Sequence, residues 1–157
     1  MNKVALNSKV SLVEIILSIL IFATAGIIML SCFGIARFTQ IRANDKTEAG
    51  MIIQSDFEVI KSLKSTVEMH EFLDESYEEK EPGNIYTKYY DENWKPGSDR
   101  DYSVTIVIDQ ENTRSGDLVS INISAEREKP YPFINKGIRE IYSIESRKFF
   151  PYGGSHE

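Results

Sequence analysis

The sequence predicts an α+β protein in which one long N-terminal helix, half transmembrane and half amphipathic, packs on a small antiparallel sheet of about four strands. Three patterns in the 157 residues predict it. No charged residue occurs from Ile15 to Ala36, apolar residues then recur at three- and four-residue steps as far as Val67, and from Ile85 the apolar period becomes two. The resulting organisation is a basic leader over residues 1–9, a transmembrane helix over 10–37 and a soluble head over 38–157. Within the head, amphipathic helix runs to about residue 70 and sheet covers 85–149.

The first element rests on length and composition. A bilayer core of about 30 Å takes about 20 residues of helix, and the uncharged run from Ile15 to Ala36 is 22 residues long. It has no Pro, and Gly26 and Gly34 are its only weak helix formers. Helix is the expected form in lipid because it satisfies every backbone group internally. Charge divides the chain at the same place. Residues 1–50 hold five basic and three acidic residues, the remainder holds thirteen and twenty-one, and the total is −6. An acidic head has nothing to draw it to a phosphate backbone, so no direct nucleic-acid contact is expected. The single Cys32 excludes an intrachain disulfide.

Four fates are open to such a segment. Lys3 and Lys9 lie ahead of the run and Ala23-Thr24-Ala25 is a small-x-small site, as in a cleaved secretory signal, yet eleven more apolar residues follow Ala25. Met29-Leu30-Ser31-Cys32 reads as a loose lipobox, followed by apolar Phe-Gly-Ile-Ala where a lipid tether is usually polar. A plain single-pass anchor is the third fate. The fourth turns on Glu14, held between Val13 and Ile15 at the edge of the run. A carboxylate drawn toward the bilayer centre costs about 2.5 to 3.5 kcal/mol and needs a partner; the bland reading is that Glu14 stays at headgroup level.

The stretch from Lys9 to Phe22, with Ser11-Leu12-Val13-Glu14 at its head, resembles the N-terminus of type IV pilin-like proteins, the pilins and the pseudopilins of type II secretion and competence systems. Laid on the family pattern, Val10 is the first mature residue, prepilin peptidase cuts between Lys9 and Val10, and Glu14 is the glutamate at mature position five. The resemblance implies that Glu14 pairs with the Val10 amine of a neighbouring subunit, and that Leu12, Val13, Ile16, Leu17 and Leu20 pack in a helix bundle. The family carries Gly before the cut; this chain carries Lys9, and no Gly precedes Glu14. If Lys9 is retained, its ammonium is a substitute cation.

What the resemblance implies is a non-enzymatic structural subunit, a minor pilin or pseudopilin, whose partners are other pilin subunits, prepilin peptidase and the inner-membrane assembly machinery. It sits single-pass in the cytoplasmic membrane, N-terminus cytoplasmic and head outside, and enters a cell-surface filament. The alternative is a membrane-anchored or lipid-anchored extracytoplasmic binding module that never polymerises, and Lys9 favours it.

The amphipathic half of the helix shows Phe38, Ile41, Ala49, Ile52, Ile53, Phe57, Ile60, Leu63 and Val67 on one stripe, opposite Arg42, Asp45, Lys46, Glu48, Asp56 and Lys61. Residues 71–83 are acidic and close on Pro-Gly, a solvated helix end and turn. Strands are expected over Ile85–Tyr90, Tyr102–Ile108, Leu118–Ala125 and Ile138–Arg147, each with one apolar face for the helix to cover. Trp94, Tyr131 and Phe133 stand in the intervening loops, where they either anchor a neighbour or fold back on the sheet. Phe149-Phe150-Pro-Tyr-Gly-Gly reads as a tail.

No enzyme, cofactor or metal is expected. The chain has two His, no phosphate loop, no His-Glu-x-x-His and no nucleophile elbow. His70 with Glu71 and Asp74, and Asp99 with Asp101, lack the spacing of zinc or calcium ligands.

Overall fold

In the computed structural model the chain is described over residues 3–80, 83–131 and 139–152, with side chains from Leu12 onward. It groups into two compact units, Met1–Ile41 and Arg42–Glu157. One helix, α1 (Lys3–Ser62), supplies the first unit and opens the second. In its first unit the hydroxyls of Ser18, Thr24, Ser31 and Thr39 donate to backbone carbonyls three or four residues back, at 2.8 to 3.0 Å. These polar side chains are satisfied within the helix itself, which suits an apolar medium with no water to offer.

The second unit adds α2 (Thr66–Ser76), β1 (Glu78–Lys80), β2 (Ile85–Tyr90), β3 (Tyr102–Asn112), β4 (Gly116–Arg127) and β5 (Glu140–Pro151). The strands form an antiparallel meander in the order β1-β2-β3-β4-β5. This is the α+β arrangement that the patterning predicts, with five strands in place of about four. Alternation places Val104, Ile106 and Ile108 of β3 and Val119, Ile121, Ile123 and Ala125 of β4 on one face, all buried. Ala49, Ile53 and Ile60 of α1 and Met69 and Leu73 of α2 close over that face in one core.

Several boundaries differ from the sequence reading, each for a local reason. The amphipathic helix does not run on to residue 70: α1 ends at Ser62 and α2 restarts at Thr66. Ser65 caps the new helix by accepting from the Glu68 N–H at 3.2 Å, and the Glu68 carboxylate reaches back to the Lys64 N–H at 2.8 Å. Ser65-Thr66-Val67-Glu68 is therefore a capping-box signal inside the apolar stripe. Val67 consequently leaves the stripe and is exposed.

The extra strand, β1, falls in the acidic stretch read as helix end and turn. Gly83, at φ 93°, brings the chain back, its N–H donating to the Lys80 carbonyl at 2.9 Å. β5 begins at Glu140, Ile138 lying outside the described residues, and it extends into the segment read as a tail as far as Pro151. Phe150 is buried and pairs with Asp117 of β4. Tyr152 donates its hydroxyl to Asp117 at 2.6 Å.

The described loop aromatics fold back. Trp94 stacks on Tyr102 with ring centroids 4.1 Å apart, and Tyr131 is buried; Phe133 lies outside the described residues. Trp94 holds φ 58°, a left-handed conformation that costs a bulky residue about 1 to 3 kcal/mol. The Asp91 carboxylate fixes the turn by accepting from the Asn93 and Lys95 N–H groups at 2.8 and 2.9 Å.

Candidate membrane and assembly segment

The residues singled out for assembly lie on the first turns of α1 with described side chains. At 100° per residue, Leu12, Val13, Ile16, Leu17 and Leu20 share one face of the helix and Glu14 flanks it. All five apolar side chains are between 54% and 63% exposed, so they meet nothing within this chain. Ile15, Ile21, Phe22 and Met29, on the other sides of this segment, are exposed as well. The helix is long and apolar enough to cross a membrane. The side chains of Lys9 and Val10, the pair that would flank a processing site, lie outside the described residues.

Beyond Ile41 the helix changes role. Asp45 and Asp56, read from their charge as lying opposite the stripe, are on its buried side, one turn before Ala49 and Ile60. Asp45 is buried and accepts from the Tyr102 hydroxyl at 2.9 Å and from the Arg127 guanidinium at 2.8 Å. Arg127 also donates to the Tyr102 oxygen at 3.1 Å and lies over the rings of Tyr131 and Tyr102, 4.6 and 5.3 Å from their centroids. Burial, then the Asp45 carboxylate, push the Tyr131 phenol up to about 12. The same causes raise the Tyr102 phenol. Asp56 accepts from the Tyr77 hydroxyl; burial raises its carboxyl against the pull of that bond and of Lys88.

A third contact closes the end of α1. Lys148, on the inward face of β5, donates its ammonium to the carbonyls of Ile60 at 2.9 Å, Lys61 at 2.8 Å and Leu63. These are acceptors that a helix C-terminus leaves without intrahelical partners. Burial lowers the Lys148 ammonium, partly countered by Glu68.

Sequence reasoning missed Arg127 and Lys148. Each belongs to an ordinary charged strand end, and their partners lie 82 and 85 to 88 residues away, so no local spacing announces them. Among the described residues no group of three His, Cys, Asp or Glu is placed to hold a metal ion. His70 Nδ1 instead meets the Tyr86 hydroxyl at 3.1 Å, and Asp101 pairs with Lys129. No family model, no curated protein and no solved structure matches this chain.

Proposed function

We propose that this protein is a non-enzymatic filament subunit, a minor pilin or pseudopilin that is stored in the membrane and assembled through α1 into a type IV pilus-like or secretion pseudopilus. The observation that carries this reading is the apolar surface of α1 from Leu12 to Ile35, exposed on every side and flanked at its start by one carboxylate, Glu14. Lipid covers such a surface before assembly and neighbouring helices cover it afterwards. Glu14 then sets the register by meeting a cation of the next subunit, the Val10 amine or Lys9. The head stands outside the cytoplasmic membrane and the leader inside.

Glu14→Gln is expected to leave membrane insertion unchanged and to reduce assembled filament by at least about tenfold. Unchanged filament yield would sink the proposal. A second reading, a permanently anchored binding module, is favoured by Lys9 standing where the family has Gly. The mass of the N-terminal peptide from native membranes separates the two. An N-terminus at Val10 is expected; an intact Met1 or a lipidated Cys32 would support the anchored module.

A further inference from the structure

We propose that the head carries a strand-docking edge for a second copy of this chain, β5 of one copy pairing in parallel with β1 of the next and Arg147 lying beside Glu78. The inference rests on the assembly reading above, because membrane-inserted copies share one orientation and meet head to tail. In a five-stranded antiparallel meander the first and last strands run in the same direction, so the two outer edges of like-oriented copies meet as parallel strands. Both edges are open: among the described residues no strand pairs with the outer side of β5 or of β1.

The hydrogen-bonding phase of the two edges matches. The Tyr152 N–H donates to the Ser115 carbonyl at 3.0 Å, continuing the β4–β5 ladder. Alternate residues from there, Phe150, Lys148 and Ser146, bond to β4, which leaves Glu145, Arg147 and Phe149 presenting backbone groups to the open side. On β2, the Ile108 N–H donates to Asn84 at 2.9 Å, so Ile85 and Thr87 bond toward β1. Their partners Lys80 and Glu78 therefore bond inward; the Tyr77 carbonyl and the Glu79 backbone groups point outward, while the Tyr77 N–H is held by the Leu73 carbonyl of α2 at 2.9 Å. Placing Arg147 beside Glu78 lets the Arg147 N–H reach the Tyr77 carbonyl and its C=O reach the Glu79 N–H of the neighbour. Both side chains then lie on the face of the sheet away from α1.

Charge selects this register over its neighbours. Arg147 and Glu78 are exposed, and neither forms an ion pair among the described residues. Sliding two residues one way puts Glu145 beside Glu78 and Arg147 beside Lys80, two like-charge contacts. Sliding two the other way puts Arg147 beside Ser76 and Phe149 beside Glu78, with no charge paired. The extended stretch that overlaps, Tyr77–Lys80, is short, so the contact is weak between free heads. It becomes effective when helices held side by side raise the local concentration of the edges.

The test uses the full chain in its native membrane with Cys32→Ser and a reporter pair, Lys80→Cys and Phe149→Cys, which the proposed register sets opposite one another. Mild oxidation is expected to give a ladder of covalent multimers that needs both cysteines. Arg147→Glu or Glu78→Arg is expected to reduce the ladder by about threefold or more, and the two together to restore it. A ladder that is absent, or indifferent to these charges, in chains that still sediment as filaments would overturn this inference and leave the assembly reading standing. Loss of both ladder and filament would overturn the two together.

Discussion

Asp45→Ala lowers the unfolding free energy of the head by about 3 kcal/mol, because it leaves the Arg127 guanidinium buried without its carboxylate. The side chains are 6% and 18% exposed, so water cannot take the place of the missing oxygens without opening the core. In a unit of this size the loss corresponds to a fall of about 12 °C in Tm. Trp94, the single tryptophan, stacks on Tyr102 and reports the change by fluorescence. Asp45→Leu combined with Arg127→Met recovers most of the loss, since removing both charges also removes the cost of burying them. A double variant no more stable than Asp45→Ala would show that the pair contributes attraction beyond its burial cost.

Lys148→Met costs about 2 kcal/mol, the second large effect. The substitution keeps much of the aliphatic stem but strips two carbonyls of the last turn of α1 and the Leu63 carbonyl just beyond it of their donor. The loss is smaller than at Asp45 because the neighbouring Lys61 and Lys64 are exposed and water reaches part of this site. Amide hydrogen exchange checks it: protection in the last turn of α1 and the first of α2 falls before protection in β3 and β4. Uniform loss across the sheet would mean that Lys148 supports the core as a whole and not the helix end.

The sequence was most legible where a single period repeats. Ile85–Tyr90 is β2 residue for residue, and the buried faces of β3 and β4 follow from alternation. The apolar run of α1 is read from composition alone. Legibility failed where a polar group works against its local pattern. Asp45 and Asp56 each lie one turn before a buried residue, Ala49 and Ile60, so a helical wheel puts both inside the apolar stripe; their charge alone sent them to solvent, and each is held instead by a tyrosine hydroxyl, of Tyr102 and Tyr77. The break between α1 and α2 was written in Ser65 and Glu68, but the apolar stripe through Leu63 masks it. β1 has three exposed residues, and its only signal is the turn at Gly83.

The Lys148 contact also sets an order of events in time. Its carbonyl partners are made 85 to 88 residues before it, and Arg127 follows Asp45 by 82. At about 5 to 20 residues per second, roughly 4 to 17 s separates the emergence of the end of α1 from that of the ammonium that closes it. Until β3 and β4 follow, Ala49, Ile53 and Ile60 have no sheet to cover them, and the last strand, with Lys148, arrives later still. A nascent chain that stalls before Lys148 therefore keeps the end of α1 open, the carbonyls of Ile60, Lys61 and Leu63 still waiting for their donor.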